Sequence, residues 1–98
     1  HWEICMRGHA GSNIMPVIAS NRIGSEVAPG GTEVTFYGSS FISDHTGQLV
    51  AKASRDREEV LLATFDLDAI AALRASWGLF RDRRPQTYAA VATLDGRS

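Results

Sequence analysis

The sequence predicts an α/β chain in the order helix, four strands, helix, tail. Three observations carry this. Residues repeat at three- and four-residue spacing near the start and again after Asp68, short β-branched and aromatic runs lie between, and Gly- or Pro-containing stretches separate them.

From Trp2 to Asn13, the residues Trp2, Cys5, Met6, His9, Ala10 and Asn13 fall on one side of a helix, with Glu3 and Arg7 on the other. Gly8 and Gly11 lower its intrinsic propensity, so packing must support it. Pro16 halts helical pairing, and Val17-Ile18-Ala19-Ser20 reads as a short buried strand. Gly24 to Thr32 holds three Gly and a Pro and reads as a loop. Glu33 to Ser43 is the second strand, with Val34 and Phe36 on one face and Thr35, Tyr37 and Phe41 on the other. Asp44 to Gly47 is a turn, and Gln48 to Ala53 returns as the third strand. Ser54 to Glu58 is a solvated connection, and Glu59 to Leu67 alternates as a fourth strand covered on both faces. Asp68 caps the last helix, whose inward stripe is Ile70, Leu73 and Trp77, and Gly78 ends it. The first strand follows a helix with no earlier strand beside it, so an upstream neighbour is expected.

The 98 residues include 10 Lys+Arg and 11 Asp+Glu, for a net charge of -1. A near-neutral chain lacks the strongly basic footprint of a nucleic-acid binder. One cysteine excludes an internal disulfide. With no apolar leader and no run near the roughly 18 apolar residues of a membrane span, the expected location is cytoplasmic. The chain opens on His1 rather than Met, and its first helix lacks a preceding cap residue, so the amino-terminal part is expected to be missing.

Cys5 and His9 stand four apart, a spacing at which a thiol and an imidazole can meet, but both are expected simply to line the buried face. His1 and His45 do not complete a zinc site with them, and no metal or cofactor is expected. Asn21 and Arg22 end the first strand, where ligands bind in open α/β sheets, and Glu26 lies in the loop that follows. A strand-end turn with an exposed arginine is the competing reading. Lys52 is expected on the surface. Arg81, Arg83 and Arg84, around Asp82, form the densest charge cluster. They are read as oligomer contacts flanked by the apolar anchors Phe80 and Tyr88, in preference to a phosphate site.

Several blocks carry a family resemblance: Met6-Arg7-Gly8-His9-Ala10-Gly11, Ala19-Ser20-Asn21-Arg22-Ile23-Gly24, Thr35-Phe36-Tyr37-Gly38-Ser39-Ser40-Phe41, and Trp77-Gly78-Leu79-Phe80-Arg81-Asp82-Arg83-Arg84-Pro85 with Tyr88. Together they resemble the carboxy-terminal part of N-carbamoylputrescine amidases, in the nitrilase (carbon-nitrogen hydrolase) superfamily. The Asn-Arg-Ile-Gly turn with Glu26, and the Phe-Tyr-Gly-Ser-Ser strand, are also similar in β-ureidopropionases. The resemblance implies a four-layer αββα sandwich of which residues 1–98 form the carboxy-terminal portion. It also implies hydrolysis of N-carbamoylputrescine to putrescine, carbon dioxide and ammonia, a step of polyamine synthesis. The superfamily's Cys nucleophile, Glu base and Lys match no position here, so no catalytic residue is expected in this chain and it should be inactive alone. Asn21 and Glu26 are then substrate-pocket candidates, Glu26 as a carboxylate for the substrate's amine. The expected partners are a small-molecule substrate and further copies of the protein in a homo-oligomer, with neither nucleic acid nor membrane. Two other readings stay open: a different N-carbamoyl amidohydrolase such as a β-ureidopropionase, and a non-catalytic interaction module.

Overall fold

The computed structural model describes residues 1–97. Helix α1 spans Trp2–Asn13, followed by strands β1 (Val17–Ala19), β2 (Ile23–Val27), β3 (Glu33–Tyr37), β4 (Phe41–Ser43) and β5 (Leu49–Lys52), then helix α2 (Leu67–Trp77). Two short 3-10 turns, Pro85–Thr87 and Ala89–Ala92, close the described chain. The class is α/β, as the sequence predicts, but with five strands in two antiparallel sheets, ordered β1-β4-β5 and β2-β3.

Two changes of bounds add two strands to the expected four, and the expected Glu59–Leu67 strand is not formed. Glu33 to Ser43 is not one strand. Gly38 (φ 53) and Ser39 (φ 61) take left-handed backbone and send β3 and β4 into different sheets. A side chain at Gly38 would come within 2.6 Å of Ile23 Cγ2 and 2.9 Å of the Ser54 and Arg55 carbonyl oxygens, so only glycine fits this crossing. The expected Gly24–Thr32 loop begins later, because Ile23 to Val27 pairs with β3 from Ile23↔Tyr37 to Val27↔Glu33. The turn is confined to Ala28–Thr32, closed by the Ala28 N–H to Thr32 O bond of 2.8 Å.

Across the larger sheet, Ala19 pairs with Phe41, and Phe41 with Lys52. Alternation puts Phe41 and Ser43 on one face, which α1 covers: Trp2 stands edge-on to Phe41 with centroids 5.3 Å apart, and Ala10 is wholly buried. The helix is rotated from its expected setting. Cys5 and His9 are exposed, whereas Glu3 and Arg7 are half-buried. The cause is the β4–β5 hairpin, which offers polar partners at its tip and at the far end of β5: Arg7 Nε donates to Gly47 O at 2.7 Å, and Glu3 pairs with Lys52 at 2.5 Å. Gly47 allows that approach, since a Cβ there would meet Arg7 O at 2.8 Å.

Glu59 to Asp66 forms no regular element and joins neither sheet, so the expected strand covered on both faces is not formed. Its alternation survives: Leu61, Ala63 and Phe65 are half-buried, while Val60 and Leu62 are 85% and 87% exposed. Asp66, not Asp68, caps α2, accepting from the Ala69 N–H at 2.9 Å. Asp68 falls in the first turn instead, where its charge suits the helix dipole. Of the expected stripe, Ile70 is buried, Leu73 half-buried and Trp77 66% exposed. Gly78 ends the helix as expected, its N–H bonded to Arg74 O. Arg74 also reaches back to α1, donating to Asn13 O at 3.1 Å and Ile14 O at 2.7 Å.

The slab so built measures 51 × 41 × 14 Å, with a radius of gyration of 18.7 Å. A closed domain of this length has about 13 Å. The thin dimension holds little more than one sheet and one helix, and Ile18, on the sheet face away from α1, is 72% exposed.

Candidate functional site

Asn21 follows β1 and stands where four chain segments meet. Its backbone N–H donates to Ser40 Oγ at 2.8 Å, and its side-chain Nδ2 donates to Gly38 O at 2.8 Å. The Gly38 N–H donates in turn to Arg22 O at 2.8 Å. This knot joins the passage from β1 to β2 with the passage from β3 to β4.

Beside the knot lies a cavity of about 320 Å³ between the end of β1, β4 and the connection after β5. Its polar wall includes Ser20, Asn21, Ser40, Arg57, Glu58 and Glu59, and its apolar wall includes Phe41 and Ile42. The connection is folded against the cavity by two bonds: Glu59 accepts from the Ser54 N–H, and the Arg57 N–H donates to Ser54 Oγ at 3.1 Å. The sequence reading treats Ser54 to Glu58 as solvated. Arg57, Glu58 and Glu59 are indeed exposed, and their position on the wall depends on a chain reversal that charge patterning does not reveal. Ser40 was equally hidden, since the break at Gly38 and Ser39 is what turns it toward Asn21.

Glu26 is elsewhere. It borders a separate groove with Val27, Ala28, Pro29, Val34 and Phe36, so the two pocket candidates share no cavity. Its carboxylate is 2.5 Å from Arg22 Nη2, and that guanidinium lies 4.3 Å from the Phe36 ring centroid. The hydrogen bond and charge of Arg22 hold Glu26 below the usual carboxylate range.

Cys5 Sγ lies 3.4 Å from His1 Nε2, on the exposed face of α1, and His9 is not its partner. The Lys52 ammonium is held by Glu3, whose carboxyl is lowered chiefly by that hydrogen bond. Neither Cys5 nor Lys52 lines the cavity at Asn21. Its lining can hydrogen-bond and pair charge, but it presents no thiol, amine or imidazole. Among the described residues no three His, Cys, Asp or Glu side chains are grouped to hold a metal ion, and no helix is long and apolar enough to cross a membrane.

Arg81 forks onto Asp82, with Nε to Oδ1 at 2.8 Å and Nη2 to Oδ2 at 3.0 Å. Arg83 and Arg84 are exposed beside it, and the Arg84 carbonyl starts the first 3-10 turn by accepting from the Thr87 N–H at 3.0 Å. All three arginines therefore sit on the open arm that follows α2, together with exposed Phe80 and Tyr88.

Residues 1–75 match the model of the carbon-nitrogen hydrolase family. The chain is 52% identical, over 99 residues and 98% of its length, to an N-carbamoylputrescine amidase of Arabidopsis thaliana, of which it covers 33%. It is 51% identical over 88 residues to a citrullinase of Francisella tularensis, covering 90% of this chain and 30% of that one. The crystal structure of a carbon-nitrogen hydrolase from Helicobacter pylori G27 superposes with a TM-score of 0.83 at 42% identity, over 95% of this chain and 32% of its own. The chain thus spans about a third of the length of the proteins it matches. With a matching family model over α1, both sheets and most of α2, and the same backbone arrangement in a solved member, the chain belongs to the carbon-nitrogen hydrolase family.

Proposed function

We propose that this chain is the carboxy-terminal portion of an N-carbamoylputrescine amidase, which hydrolyses N-carbamoylputrescine to putrescine, carbon dioxide and ammonia in polyamine synthesis. The observation that carries the substrate is the 52% identity to the Arabidopsis enzyme across nearly the whole chain. The placement as one part of a larger domain is supported by the 14 Å slab, the exposed sheet face at Ile18 and the unpaired Glu59–Asp66 segment. A buried sheet needs a second layer, and an alternating apolar segment needs a neighbouring strand.

In this reading the Cys nucleophile, the Glu that takes its proton and the Lys that offsets the oxyanion all lie outside this chain. Three placements support that. Cys5 faces solvent beside His1, Lys52 is held by Glu3, and Glu26 is held by Arg22, so no Cys-Glu-Lys group assembles among the described residues. The chain's contribution is a wall of the substrate pocket at Asn21 and, through Arg81, Arg83 and Arg84, contacts between copies of a homo-oligomer.

A second reading rests on the 51% identity to a citrullinase. Citrulline and N-carbamoylputrescine both present a carbamoylated primary amine, so one chemistry serves both, and the substrates differ at the far end. The test is ammonia release from N-carbamoylputrescine and from citrulline, using this chain and the full-length protein that carries it. The expected result is that only the full-length protein works and that it prefers N-carbamoylputrescine. Preference for citrulline would move the assignment, and activity of the short chain lost in Cys5→Ala would overturn it.

A further inference from the structure

We propose that Glu26 is a positioning residue: acting through Arg22, it fixes Asn21 in the cavity wall and does not itself bind the substrate's amine. This rests on the reading above that the cavity at Asn21 is a substrate pocket.

The backbone register makes the contact possible. Arg22 immediately precedes β2, and Gly24, which takes left-handed backbone at φ 90, pairs with Phe36 between Arg22 and Glu26. Residues four apart on a regular strand are separated by about 13 Å, a gap that two long side chains can close. Arg22 reaches along the strand to Glu26 Oε1 at 2.5 Å, with its guanidinium 4.3 Å from the Phe36 ring centroid. A guanidinium held by a carboxylate on one side and a ring on the other has lost most of its rotamer freedom.

Immobilising Arg22 has a direct consequence for its neighbour. The Gly38 peptide is held from both sides, its N–H by Arg22 O at 2.8 Å and its carbonyl by Asn21 Nδ2 at 2.8 Å. Arg22 and Asn21 therefore share one anchor, and only Asn21 faces the 320 Å³ cavity. Glu26 lies in a different groove, and its charge is already met by Arg22. A substrate ammonium at Glu26 would have to displace a guanidinium and would still lie outside the cavity that Asn21 lines.

The test uses Glu26→Gln, Arg22→Gln and the double variant in the full-length enzyme. Two measurements are made on each: steady-state kinetics with N-carbamoylputrescine, and hydrogen exchange at the Gly38 N–H. A shared clamp predicts that each single variant lowers kcat/KM about fivefold to tenfold and that the double variant is within about twofold of either, because both substitutions remove one unit. Gly38 exchange should quicken about tenfold or more in all three. Arg22→Lys keeps the charge but not the planar stack, and should restore part of both losses. If Glu26 binds the amine directly, Glu26→Gln raises KM while Arg22→Gln, which frees the carboxylate, leaves KM unchanged or lowers it; that result overturns the proposal. Unchanged Gly38 exchange in Glu26→Gln also overturns it. A wild-type enzyme inactive on N-carbamoylputrescine would sink the substrate assignment alone, because the exchange measurement needs no substrate.

Discussion

Two regions of this chain carry similar apolar residues to opposite ends. In the first, α1 closes over β1, β4 and β5, leaving Ala10 and Phe41 at 0% and 1% exposure. In the second, from Glu59 onward, Val60, Leu62, Trp77, Phe80, Tyr88, Val91 and Leu94 are exposed, and Ile70 is the buried apolar side chain. Hydrophobicity supplies a driving force, but a core also needs a second surface at packing distance. Trp2 provides one for Phe41. Among the described residues, nothing does so for Leu62.

The sharpest test of this contrast is a pair of truncations followed by urea unfolding. Phe41→Ala should cost about 3–5 kcal/mol, the range for emptying a packed aromatic site, whereas Leu62→Ala should shift stability by under about 0.5 kcal/mol. Equal effects would mean that the two regions do not differ as described. In the full-length protein, Leu62→Ala should become costly if the Glu59–Asp66 segment is covered there.

A smaller effect tests a polar tie between the regions. Arg74 of α2 satisfies the Asn13 and Ile14 carbonyls at the carboxyl end of α1, where a cation also suits the helix dipole. Arg74→Ala should lower stability by about 1.5–3 kcal/mol, as expected for losing charged hydrogen bonds to half-buried acceptors. It should also release α2, read as faster exchange at the Gly78 N–H. Retained protection there would show that α2 is held by its own packing at Ile70.

The smallest effect concerns pH, and two of its sources, Asp44 and Glu3, lie in the first region. Burial would raise the Asp44 carboxyl, but hydrogen bonds from the Thr46 hydroxyl, the Thr46 N–H and the Gln48 N–H outweigh it, and Asp44 lies below its ordinary value. Glu3 is lowered chiefly by Lys52. A carboxyl depressed in the folded state contributes stability above its unfolded pKa and loses it as pH falls through the folded value. Stability should therefore be flat above the ordinary carboxylate range, about pH 4, and fall below it. Asp44→Asn should flatten that fall; a slope unchanged in this variant would exclude Asp44 as a source.

Local signals in the sequence survive into the structure wherever the partner is also local. Pro16 before β1, the Asp44–Gly47 turn and Gly78 after α2 are set by backbone stereochemistry within a few residues. The cap of α2, Asp66 in place of Asp68, is a local error, and the larger ones involve distant partners. Glu33 to Ser43 reads as one strand because the steric demand at Gly38 comes from Ile23, Ser54 and Arg55. Cys5 and His9 read as buried because the spacing on α1 does not reveal that the β4–β5 hairpin takes Arg7 at its tip and Glu3 at Lys52. At the candidate site, Asn21 was legible from its position at a strand end. The separation of Glu26 from it was not, because the strand pairing of Ile23 to Val27 is hidden in a stretch rich in glycine.

By itself the sequence determined the α/β class, the family blocks and both helices. Those depend on residue identity and short-range spacing. Only the tertiary structure decided which side of α1 is covered, that Arg22 pairs with Glu26, and that Asn21 shares its cavity with Arg57, Glu58 and Glu59. These depend on contacts between residues distant in sequence, where a shift of one residue in strand register turns a side chain to the opposite face.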